Sequence, residues 1–272
     1  MSSKEMTRGL LAGITVACLA VGAASAKTVR VTITNDNDLG GGLSLTPLYV
    51  AFHNGDFQAF NPGDVASAGI EELAEEGMFG TLAGERQAAT PDGVGGTTSQ
   101  GGALTAPGGF GGAPVIEPGE QSTRDFVLED GNNFFNFFSM VIPSNDLFIG
   151  APGSGINLDD VDLTSGFEIV LTAANVWDAG TEVNNNNGAA FNADQGDPAF
   201  EFDENGVITL AGSTALNVLT GQTGANGLTI AGSPVPFQTT ITISAVPLPA
   251  GAPLVLSGLF AFGWLRYRKN KA

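Results

Sequence analysis

The sequence predicts an all-β protein, an antiparallel sandwich or barrel with one short helix and one long Gly- and Pro-rich loop. Three observations predict it. Seven to nine short runs are apolar or alternate apolar with polar residues. Turn-forming Gly, Asn and Asp separate them, and only one stretch has helical periodicity.

The first strand is read from alternation: Val29, Val31 and Ile33 face one way, and Arg30, Thr32 and Thr34 the other. "NDNDLGGGLS" supplies turn chemistry before a continuously apolar second run, "PLYVAFH", Pro47 to His53. "VASAGIEELAEEG", Val65 to Gly77, is the helix. Ile70, Leu73 and Ala74 share a face, and Gly77 suits the stop. Residues 83–119, rich in Gly, Pro, Thr and Ala, lack apolar periodicity and read as a long flexible surface loop. Strands resume at "STRDFVLE". "NNFFNFFSMVI" is apolar on both sides and suits a central strand. "SGFEIVLTAANVW" follows as one strand, then "AFEFDENGVITLAG" as two strands joined at Glu204-Asn205-Gly206. "FQTTITISAV" is the last.

The two ends read as processing segments. Residues 1–26 carry Lys4 and Arg8, an apolar stretch from Leu10 to Val21, and Ala24-Ser25-Ala26 before Lys27, the layout of a signal peptide. The lone cysteine, Cys18, falls inside it, so the exported body has no disulfide, thiol nucleophile or sulfur-ligated zinc. Residues 246–272 open with a Pro-rich turn, run apolar from Leu254 to Leu265, and end on Arg266, Arg268, Lys269 and Lys271. That is a short hydrophobic helix with a positive stop, a candidate anchor that would be the body's only membrane contact. The layout resembles the Pro-Glu-Pro type of Gram-negative sorting signal, in its Val-Pro-Leu-Pro-Ala variant. The resemblance implies an exosortase-type processing enzyme as a partner, with cleavage near Pro249 and Ala250.

Between these ends lies one domain, 27–245. It keeps Lys27, Arg30, Arg86 and Arg124 against 27 of the chain's 28 acidic residues. A body this acidic repels nucleic acid and anionic lipid and attracts cations.

Two loops concentrate oxygen-bearing side chains. "IPSNDLFIGAP" places Asp146 after the central strand. "VWDAGTEVNNNNG" places Asp178 and Glu182 four apart, with Gly180 between them to let the chain fold back. Hard cations take carboxylate and carbonyl oxygens from loops that can wrap around them, and loops far apart in sequence converge at the end of a sandwich. Solvated loop acids and a catalytic pair, Asp146 with Asp178, are the other readings. A single histidine, His53, no Gly-x-Ser-x-Gly elbow, and Trp177 as the body's sole tryptophan weigh against hydrolase and transition-metal sites. The phenylalanines at 134, 135, 137 and 138 read as core.

"SMVIPSND", "VWDAGTE" and the upstream "LTPLYVAFHNG…FNPGDVASAGIEELAEEG" together resemble the spondin domain, over about residues 29–184. The resemblance implies a C2-like β-sandwich with a calcium ion held by loops at one end, and assigns Asp146, Asp178 and Glu182 as its carboxylate ligands. Animal members tend to carry Asp at the position of Glu182, and disulfides this body lacks. It further implies a cell-surface or matrix module in adhesion or assembly, with an extracellular protein or polysaccharide as partner. The alternative is a secreted hydrolase of extracellular polysaccharide that uses the same carboxylates.

Overall fold

In the computed structural model the described residues are 27–37, 42–89, 99–106, 114–185, 187–193, 203–232 and 237–247. The stretches expected to be a signal peptide and, beyond Pro247, a sorting tail lie outside them. Among the described residues no helix is long and apolar enough to cross a membrane.

The all-β expectation holds: among the described residues twelve strands form two antiparallel sheets stacked as a sandwich. The smaller has four strands in the order β5(Gln121–Leu128), β1(Lys27–Asn35), β12(Gln238–Ala245), β9(Phe167–Thr172). Its inner positions, among them Val29, Val31, Ile33, Ile241 and Ile243, are fully buried. Its outer face carries Arg30, Thr32, Thr123 and Thr242, in line with the alternation read from β1. The larger sheet runs β11(Thr209–Leu210), β10(Val176–Asp178), β7(Leu147–Gly150), β6(Phe134–Ile142), β3(Leu48–His53), β4(Gln100–Leu104). The short strands β2(Ser44–Leu45) and β8(Ile156–Asn157) also pair with β6.

Strand β6 is apolar on both sides because both sides are covered. One side faces the inter-sheet core with Phe135, Phe137 and Val141. The other, with Phe138, packs under helix α1(Ala68–Glu76) together with Phe60, Ile70, Leu73 and Trp177. The helix begins and stops as its sequence dictates. Ser67 accepts the Ile70 N–H at 3.2 Å, and Gly77 adopts the left-handed conformation (φ 68°) that closes the last turn.

Two expectations need correction. The stretch 83–119 is not all loop. A second helix, α2(Gly80–Ala89), buries Leu82 and Arg86 one turn apart. Its Glu85 caps α1, accepting from Gly69 N–H at 2.9 Å and from the Ser67 hydroxyl at 2.8 Å. Strand β4 then adds to β3 as the sheet edge. Its glycines leave no periodic pattern, and at Gly101 a side chain would not fit: a Cβ there would sit 2.8 Å from the Val50 carbonyl oxygen. The first arm of the expected hairpin at Glu204-Asn205-Gly206 lies outside the described residues. On the described side Asp203 bridges Glu182, and β11 joins β10, so that segment closes over another loop. The expected single strand "SGFEIVLTAANVW" is cut at 173–175, where a 3-10 turn moves the chain from one sheet to the other. The Asn175 side chain makes that corner by accepting from Thr172 N–H at 2.9 Å and from the Thr172 hydroxyl at 3.2 Å. A further helix absent from the expectation, α3(Gly212–Val218), contributes Ala215 and Leu216 to the core.

The sandwich has two distinct ends. At one, Lys27 pairs across from Leu128, and the last β12 residue, Ala245, lies opposite Val29. At the other, Asn35 closes β1, and its amide donates to Leu43 O at 3.1 Å and Ile116 O at 3.0 Å. This second end adjoins Ser44, which pairs with Ile142, and so holds the turn that carries Asp146.

Candidate cation site

The turn from β6 to β7 follows a cis Ile142–Pro143 peptide and is closed by Ser144, whose hydroxyl accepts the Leu147 N–H at 3.1 Å. Asp146 therefore points into the protein beneath the loop that follows β10. It is fully buried. Its Oδ2 accepts two backbone N–H groups of that loop, from Thr181 at 3.1 Å and Glu182 at 3.2 Å, and its carbonyl accepts Ala179 N–H at 3.2 Å. Oδ1 is buried and has no hydrogen-bond partner, and the Thr181 hydroxyl is in the same condition. A buried oxygen without a partner is uncommon and costly.

Asp178 ends β10 and turns the chain. Its Oδ1 accepts Gly180 N–H at 2.8 Å, and Oδ2 accepts the Asn184 amide at 2.6 Å. Gly180 sits at φ 68°, and a Cβ there would meet the Val207 backbone at 2.7 Å, so only glycine fits. Asn145 ties the two loops together, donating to Val183 O at 2.6 Å. Asn145 and Asn184 thus serve as loop braces here.

Burial pushes the Asp146 carboxyl up to about 7; the charges of Asp178 and Glu204 add to the rise, and the N–H groups of Glu182 and Thr181 oppose it. The sequence expectation named Asp146, Asp178 and Glu182. The structure brings Asp146 and Asp178 within electrostatic reach of each other. The Glu182 backbone is fastened to Asp146, and its side chain is nearly buried. Among the described residues, no three His, Cys, Asp or Glu side chains are gathered closely enough to form a cation cage by themselves. Thr181 and Glu204 were missed. A lone threonine carries no signal, and Glu204 stood in what read as a hairpin turn.

The donor set suits a hard cation on chemical grounds. It offers a carboxylate oxygen with a free lone pair, a hydroxyl oxygen and a second carboxylate, all oxygens on loops, and calcium completes its six to eight positions with carbonyls and water. The other candidates resolve as core. His53 is fully buried; Gly55 N–H donates to its Nδ1 at 3.0 Å, so Nε2 donates to Asn136 Oδ1 at 2.6 Å. Burial holds its pKa below the usual value. Asp56 is engaged instead with Asn54. Trp177 donates to Gly150 O at 3.0 Å and packs edge-on against Phe60.

Residues 42–197 match the Spondin_N family model. The chain belongs to the spondin N-terminal family. No curated protein matches it. The match takes in β2 through β10 and both carboxylate loops. The two central strands of the four-stranded sheet, β1 and β12, and the segment that closes over Gly180, fall outside it. Membership indicates an extracellular adhesion or matrix-related module, of a non-enzymatic type.

Proposed function

We propose that this spondin module is exported and binds calcium at the Asp146 end, where the ion orders the loops for cell-surface or matrix adhesion and assembly. The observation that carries the reading is the fully buried Asp146 carboxylate, with one oxygen holding two backbone N–H groups and the other without a partner. Asp146, Asp178 and Glu182 would hold the ion, with Thr181 as a hydroxyl donor. A bound divalent cation supplies the positive charge that lets Asp146 ionise beside Asp178. The loops so braced present a surface to an extracellular protein or polysaccharide.

Export, and processing by an exosortase-type enzyme, rest on residues 1–26 and 246–272. All of these residues but Val246 and Pro247 lie outside the described ones. Catalysis finds one favourable feature, the raised Asp146 carboxyl, but that group is sealed from solvent and hence from a polymer substrate. Thermal unfolding in chelator and then in millimolar calcium tests the reading. The native protein is expected to melt several degrees higher with calcium. The variant Asp146→Asn, Asp178→Asn, Glu182→Gln should show no calcium response. Equal melting temperatures of the native protein in both conditions would remove calcium from the account.

A further inference from the structure

We propose that the segment from Asp203 to Leu210, which lies outside the spondin match, is a built-in cover of the cation site, and that Glu204 is a further cation-binding residue within it. The inference rests on the calcium reading above and extends its residue set to a third stretch of chain.

The cover is fastened along its length. Glu204 N–H donates to Thr181 O at 2.8 Å, and Gly206 N–H to Gly180 O at 2.7 Å. Asp203 bridges Glu182, while Thr209 and Leu210 pair with Asp178 and Trp177. Ile208, fully buried, pins the middle by exchanging backbone bonds with Gly63 and Asp64, both at 2.8 Å. This places two more acidic residues over a loop that already carries Asp178 and Glu182 and covers Asp146. Left alone, like charges brought together in this way repel.

Among the described residues, the Lys and Arg side chains do not answer that charge. Lys27 faces Asp159 at 3.9 Å, and Arg30 holds Asp125 at 2.7 Å. Arg86 is buried on the Tyr49 hydroxyl at 2.8 Å and Ser99 at 2.6 Å. Arg124 lies over the Phe126 ring and donates to Ala103 O at 3.0 Å. These are the four Lys and Arg residues of 27–245, and each is engaged elsewhere. Among the described residues, then, no Lys or Arg supplies the counter-charge at this end, and a cation from solution would supply it. The unpartnered Asp146 Oδ1 and Thr181 hydroxyl mark where it is drawn. Glu204 acts on Asp146 through its charge and is exposed, so its carboxylate is free to take up a shell position.

Calcium titration calorimetry on the full chain tests this with Glu204→Gln, and with Glu168→Gln as a control. Glu168 is an exposed acid on β9, in the other sheet, and its loss changes net charge equally. Glu204→Gln should weaken calcium binding about fivefold to tenfold, since carboxylate count tunes such sites. Its calcium-free melting temperature should equal or exceed the native value. Glu168→Gln should bind as the native protein does. Native affinity in Glu204→Gln, or equal weakening in both variants, overturns the role of Glu204. If Asp146→Asn abolishes binding while Glu204→Gln is unaffected, only the cover inference fails. If the native chain binds no calcium, the calcium reading fails and this inference with it.

Discussion

On the outer face of the four-stranded sheet, Asp125 lies beside Arg30 with two hydrogen bonds, of 2.7 and 2.9 Å, and the guanidinium holds its carboxyl below the usual range. At the loop end, Asp146 is buried beside Asp178 and Glu204, and its carboxyl is pushed up to about 7. Both are aspartates on a sheet or at its edge. One carries its counter-charge in the fold, across a strand pair whose register is fixed by β1 and β5. The other has backbone N–H groups on one oxygen and nothing on the second. The exposed pair is structurally complete and energetically minor. The buried carboxylate is structurally central and electrostatically incomplete, and the calcium proposed above would complete it.

The sharpest way to separate the two roles of Asp146 is to replace it twice. Asp146→Ala leaves the N–H groups of Thr181 and Glu182 without an acceptor and opens a void; denaturant unfolding should show a loss of about 3 kcal/mol or more, with or without calcium. Asp146→Asn keeps an acceptor and removes the charge. Without calcium at pH 8, it should be at least as stable as the native protein, and it should gain nothing from calcium.

The two aspartates should also titrate with opposite sign. The folded-state pKa of Asp146 lies above the ordinary 3.8. Its contribution in the calcium-free protein is therefore fully present below about 3.8 and is lost as pH rises to about 7. The folded-state pKa of Asp125 lies below 3.8. Its contribution is present above 3.8 and is lost as pH falls below it. Stability profiles of the native protein against Asp146→Asn and Asp125→Asn, taken in chelator from pH 3 to pH 8, should slope in opposite directions.

A smaller effect probes how the loop is covered. Gly180→Ala forces a left-handed residue with a side chain into the Val207 backbone, and should cost about 2 kcal/mol. Calcium should restore only part of it, because the cover can no longer close. Full restoration would detach the cover from the site.

The difference between the two regions also marks what the sequence could reveal. Alternation in β1 and β12, the double-sided apolar run of β6 and the capped helix α1 are local patterns, and they matched the structure. The loop acids Asp146 and Asp178 were legible because their motifs and Gly180 sit in one short stretch each. What was not legible depends on distant pairing. Strand β4 is mostly glycine and alanine, and is a strand only because β3 offers its edge. Helix α2 has a weak apolar stripe and is held by Glu85 reaching α1. Glu204 reads locally as part of a turn and acquires its place through its own bond to Thr181 and that of Gly206 to Gly180. The orphaned Thr181 hydroxyl follows from burial alone, and the sequence does not encode burial at a loop residue.

In the proposed site, a cation from solution supplies the charge missing at Asp146. Isothermal titration of calcium into chelator-treated native protein, beside Asp146→Asn, tests it most directly. Saturable binding is expected for the native protein and none for Asp146→Asn. No binding heat in the native protein at several temperatures, or identical isotherms for the two, would contradict it.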